Sequence, residues 1–166
     1  MIAVNKQEAP GNRRTIDAWA LYNESLLTEV IARAACQKLK KDGCGLEWPL
    51  AYLVVPIALN PNAETLVLRH QRVSLLRWAL RNREFLSTLP DRIVNTEAAT
   101  QKALRFGVRI GRLQFDEGKV KPSAELKRLP KNCPQELKTA ARAAEVCGQW
   151  FAHYSALAVF KYLELV

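Results

Sequence analysis

The sequence predicts a mainly α fold: a compact helical domain with a winged-helix-like helix plus short β-hairpin and a long C-terminal helix. Three observations carry this expectation. Apolar residues recur at helical spacing along most of the chain. Period-two alternation is confined to one stretch, "RLQFDEGKVKP", a hairpin at about 112–122. The chain has 166 residues, 49% of them apolar and 25% charged, so it can bury one sizeable core without disulfides.

Residues 1–14 read as a flexible N-terminus, and 15–166 as a single helical domain. Thr15 is the expected cap of the first helix, with Asp17 in its first turn. Ile16, Trp19, Leu27, Val30, Ile31, Ala34 and Ala35 give that helix an apolar face. Basic residues and then Gly43 close it. "EWPLAYLVVPIALN" is apolar all round, which suits a buried helix or a buried strand. Its prolines favour a short central helix that Pro49 opens and Pro56 kinks or breaks.

Ser74 then caps "LLRWALRNR", and "REFLSTLP" makes a short helix ending at Pro90. Asn95 or Thr96 caps the next helix, which stops at Gly111. In the hairpin, the loop Asp116-Glu117-Gly118 puts glycine last, where positive φ is needed. A polar stretch, Ser123 to Pro134, leads to one C-terminal helix at about 134–163, with Gly148 its interior weak point.

The formal charge of +9 favours contact with polyanions or acidic protein surfaces. Ahead of the hairpin, Ala99, Ala103, Phe106 and Ile110 form the expected core seam of a helix. Lys102, Arg105, Arg109 and Arg112 form a second, basic seam. Lys119 and Lys121 sit on the ribbon. A basic helix followed by a small ribbon has the form of a winged-helix unit, which lays the helix in a groove and the wing on phosphates. The other reading is a solvated or docking face, since only Thr100 and Gln101 stand nearby to read bases. Arg77 and Arg81, one turn apart beside Trp78, line a further basic surface.

Chemistry is harder to find. Cys36, Cys44, Cys133 and Cys147 have no CxxC spacing, and His70 and His153 stand in no ligand or triad signature. Free, mostly buried thiols are expected. Asp116 and Glu117 read as turn residues, and no phosphate-binding glycine loop is present. Catalytic, cofactor-binding and metal-ligating residues are therefore all expected to be absent, and the chain is expected not to be an enzyme. The N-terminal stretch lacks the apolar core of a secretory signal, and the longest apolar run is too short to span a bilayer. A cytoplasmic protein without membrane contact is the expectation.

"WALYNESLLTEVIARA", "WPLAYLVVPIALN", "LLRWALRNREFLSTLPDRI" and "TEAATQKALRFGVRIGRLQFDEGKV", in that order, resemble the middle component of bacterial three-component ABC systems, of the kind that Lamassu-type defence operons carry. The resemblance covers Trp19 to Val120. Its marks are Tyr22-Asn23, Trp78, and the block Ala103, Leu104, Phe106, Gly107, Gly111 and Leu113. It implies a non-enzymatic adaptor between an SMC-like ABC ATPase that senses foreign DNA and an effector, often a nuclease, that it helps control. The segment Ser123 to Pro134 and the strong basic charge have no obvious counterpart there. A stand-alone winged-helix DNA-binding protein or regulator is the alternative reading.

Overall fold

The computed structural model describes residues 23–166, and these form a mainly helical body with a small antiparallel sheet at its edge. Helix α1 is Glu24–Asp42. Asn23 caps it, its Oδ1 accepting the Leu26 N–H at 3.0 Å. The expected cap Thr15 lies outside the described residues. The run that periodicity carried through from Thr15 is corrected, because backbone and cap at Asn23 mark a helix start there. The other end is as expected: Gly43 takes φ 72°, and its N–H reaches Leu39 O at 2.8 Å.

Helix α2, Trp48–Ala58, fills the middle of the core with Leu50, Leu53, Val54, Val55 and Ile57. Its apolarity follows from packing against α1 and the helices Arg83–Arg109 and Gln135–Phe151, with only its first turn and Tyr52 left partly open. Pro56 sits in its last turn, and the helix ends two residues later instead of breaking at the proline. Among the described residues no single helix is long and apolar enough to cross a membrane. Helix α3, Ala63–Leu66, and a 3₁₀ turn, Leu68–His70, lead to α4, Leu75–Arg81. Ser74 caps α4 as expected, accepting the Arg77 N–H.

The next helix departs from expectation. In place of a short helix ending at Pro90 and a second one capped at Asn95 or Thr96, one 27-residue helix, α5, runs Arg83–Arg109 straight through the proline. Its buried residues, Leu86, Leu89, Thr100, Ala103, Leu104 and Gly107, outweigh the backbone bond that an exposed Pro90 removes, a loss of about 3 kcal/mol. Thr96 does not cap; its hydroxyl donates back to Arg92 O at 2.9 Å inside the helix. The core seam is corrected too. Ile110 is exposed and Phe106 half-buried, because the helix ends at Arg109 and the buried stripe has drifted to Thr100, Leu104 and Gly107.

Strands β2, Leu113–Asp116, and β3, Lys119–Pro122, form the expected hairpin. Its loop is two residues, not three: Asp116 pairs with Lys119, and Glu117 and Gly118 both take positive φ, 48° and 75°. Two left-handed residues make the turn whose twist matches paired strands. A third strand, β1, Leu46–Glu47, was not expected, since two residues carry no periodicity. It pairs antiparallel with β3, Leu46 opposite Val120, giving the order β1-β3-β2.

The single C-terminal helix is corrected to two, α6, Gln135–Phe151, and α7, Ala156–Tyr162. Ser155 starts α7, accepting the Ala158 N–H at 3.2 Å. The break turns Val159 and Leu163 into the core and sets Tyr154 edge-on to Tyr162 at 5.0 Å. Helix α6 lies along α1 and α2, which α5 also covers. Trp78 and Trp150 stack at 4.9 Å, and their indole N–H groups donate to Leu66 O and Val73 O. The polar stretch after the hairpin is held by the Arg33 guanidinium, which donates to Lys127 O.

The four cysteines are free, but only Cys36 and Cys147 are buried; Cys44 is exposed and Cys133 half-buried. Full burial pushes the Cys147 thiol up to about 12. Ellman's reagent is therefore expected to titrate Cys44 and Cys133 in the native protein and all four thiols after denaturation. Rapid native reaction at Cys147, located by peptide mapping, would contradict this packing.

Candidate interaction surfaces

The residues singled out in the sequence fall into two groups at opposite ends of α5. At its C-terminal end, Lys102, Arg105 and Arg109 are exposed along the last turns, as helical spacing requires. Arg109 lies over the Phe106 ring at 5.7 Å. Arg105 acts on Tyr52 of α2: burial and then Glu97 raise that phenol above its ordinary value, and Arg105 opposes them. Tyr52 in turn meets Trp48 edge-on at 6.0 Å, and the Trp48 N–H holds the hairpin turn through Gly118 O at 3.0 Å.

The other members of the expected seam are engaged within the molecule. Arg112 donates to Glu29 Oε2 at 2.7 Å, and Glu29 Oε1 holds Arg33, so one carboxylate ties the start of β2 to α1. Lys121 pairs with Asp116 at 3.0 Å across the hairpin. Lys119 is half-buried and helps hold the Asp42 carboxyl low. The ribbon's cations are thus largely spent on the fold, whereas those of α5 have no ion-pair partner among the described residues.

At the other end, Arg77 and Arg81 stand exposed on α4, which joins α5 through Asn82. Trp78, between them in sequence, points the opposite way into the core. The structure does not bring this pair together with Lys102, Arg105 and Arg109. Most of the 27-residue helix lies between them, about 30–40 Å along its axis.

Each basic group has apolar company that the sequence reading missed. Leu76 and Leu80 beside Arg77 and Arg81, and Val108, Ile110 and Phe115 beside Arg105 and Arg109, are each 41–55% exposed. Large side chains left bare in clusters mark contact surfaces more than scattered ones do. Leu76 and Leu80 were detectable, since they repeat at i, i+4 on the side away from Leu75, Trp78 and Ala79. Val108 and Phe115 were not, because their exposure depends on how the hairpin folds back. Among the described residues no group of three His, Cys, Asp or Glu side chains is placed to hold a metal ion.

No curated protein and no solved structure matches the chain. A family model does: ABC-three component (ABC-3C) system Middle Component 3, over residues 12–164. The match takes in both ends of α5, the sheet and both C-terminal helices, and the chain belongs to this family of middle components.

Proposed function

We propose that this chain is a non-catalytic adaptor of a bacterial defence complex of Lamassu type. In this reading it bridges an SMC-like ABC ATPase that senses foreign DNA and a nuclease-like effector, and helps keep the effector in check in the cytoplasm. One observation carries the reading. Two apolar and arginine-bearing surfaces, Leu76/Arg77/Leu80/Arg81 and Arg105/Val108/Arg109/Phe115, lie at opposite ends of one long helix. A molecule that grips two partners needs two separated faces on a rigid spacer, and a long continuous helix with one face anchored in the core is such a spacer. Arginine and phenylalanine are also enriched at interface centres, and the bare leucine and valine beside them add apolar area to cover.

The exposed stripe Lys102, Arg105 and Arg109, running into a hairpin, keeps direct DNA contact as a second reading. Charge reversal separates the two. Arg105→Glu with Arg109→Glu is expected to cost about 2–5 kcal/mol of association with one component, and Arg77→Glu with Arg81→Glu to affect the other. Pull-downs from cells expressing all three components read this out. If the first double variant leaves both associations intact but abolishes steeply salt-dependent duplex binding by the isolated chain, the DNA-binding reading replaces the adaptor.

A further inference from the structure

The two edges of the sheet are protected unequally. Central strand β3 is covered by β1 over two residues only. Just beyond that overlap stands Pro122, which has no N–H to offer on that side. The opposite edge, along β2, lacks such a guard: Leu113–Asp116 holds no lysine, no proline and no bulge, and its one charge is at the tip.

The register shows which backbone groups this edge leaves open. Ser123 N–H donates to Arg112 O at 3.0 Å, a hydrogen-bonded position. The next pair, Leu113 opposite Pro122, is then a non-hydrogen-bonded one, as a residue without a donor requires. Alternation makes Gln114–Lys121 and Asp116–Lys119 the bonded pairs. It aims the N–H and C=O groups of Leu113 and Phe115 away from β3, toward the open side. Val108, Gly111 and Phe115 line a shallow trough beside that edge, with the paired Asp116 and Lys121 at its tip; Arg105 and Arg109 do not line it but stand exposed on the helix that packs against β2.

We infer that β2 is a docking edge that accepts an extended, acidic segment of a protein partner as a fourth strand. Main-chain bonds to Leu113 and Phe115 set its register. Val108 and Phe115 cover its apolar side chains, and Lys102, Arg105 and Arg109 select its charge. A second copy of this chain fits poorly, because it would bring the same charge excess, +9 per chain, to the same edge. The inference rests on the adaptor reading and gives the form of the contact at the hairpin end.

Hydrogen exchange on the unmodified chain tests it, alone and in complex with the co-expressed ATPase and effector components. The Phe115 and Leu113 amides are expected to exchange about a hundredfold more slowly in the complex. A photo-crosslinker placed at Phe115 is expected to join an acidic stretch of one of those components. Phe115→Pro, which removes the outward N–H as well as the ring, is expected to weaken the complex at least about tenfold relative to Phe115→Ala, which removes the ring alone, while Gln114→Ala leaves it unchanged. A complex that forms with both amides unprotected overturns the docking edge and leaves the adaptor standing. Crosslinking to another copy of this chain also overturns it. If no complex forms with either component, the adaptor reading fails and the docking edge with it.

Discussion

Gly148→Ala is expected to destabilise the protein by about 3 kcal/mol, lowering Tm by about 6–12 °C. Alanine is ordinarily the better helix former, so propensity alone predicts the opposite sign. Packing decides against it. A Cβ on Gly148 would lie 2.2 Å from Ala34 O and 3.0 Å from Ala34 C, main-chain atoms of α1 that cannot rotate away. Helices α1 and α6 must then separate along their closest crossing, which loosens the buried contacts of Leu27, Val30 and Ile31. Thermal unfolding of the purified variant measures the loss. Adding Ala34→Gly is expected to restore none of it, since the obstructing atom is a backbone oxygen. A Gly148→Ala protein melting at or above the parent temperature would refute this account of the crossing.

Lys38→Met is expected to cost a similar amount, about 3–5 kcal/mol, through charge instead of volume. Lys38 is 2% exposed, and its ammonium donates to Asp42 Oδ2 at 2.6 Å and to Gly45 O at 2.9 Å. Glu47 Oε2 stands 3.0 Å away as a second counter-ion, without a well-aligned hydrogen bond. Burial pulls the lysine down, but Asp42 and Glu47 more than compensate and hold it above its ordinary 10.5. Burial likewise raises Asp42, yet Lys38 and the Cys44 N–H bring it below 3.8. The signs follow by linkage. The lysine's contribution is fully present below 10.5 and is lost as pH climbs through its higher folded value. The aspartate's is present above 3.8 and is lost as pH falls through its lower folded value.

Without Lys38, two carboxylates face each other with no cation between them. Protonating them then relieves repulsion, so the variant is expected to gain stability on acidification where the parent loses it. Denaturant unfolding across the carboxylate range checks the reversal. Adding Asp42→Asn and Glu47→Gln is expected to return much of the loss. A parent-like acid profile in Lys38→Met would show that the three groups are not coupled.

Local chemistry was the legible part of this chain. The mainly α class, the Gly43 stop, the Ser74 cap, the buried "WPLAYLVVPIALN" segment and the hairpin each follow from side chains within a few residues of one another. Where distant contacts decide, the reading failed. Pro90 looked like a stop, but Leu86 and Leu89 on one side of it and Thr100 to Gly107 on the other share one buried stripe. The C-terminal run looked continuous, but Ser155 and the inward turn of Val159 divide it. Strand β1 had no signal of its own, since its partner is far along the chain. The candidate surfaces divide in the same way. Spacing placed Lys102, Arg105 and Arg109 on one exposed stripe, whereas the engagement of Arg112 with Glu29 and of Lys121 with Asp116 depends on how the hairpin closes.

The pairing of Leu46 with Val120 also bears on the order in which the molecule is made. A ribosome releases β1 early, yet its neighbour emerges only after four α-helices and β2 have passed. Until then the sheet has no middle strand, and the outer ribbon has nothing to lean on. Chains ending before Lys119 accordingly present no finished border to a companion, whereas the sheet closes before the two C-terminal helices are made.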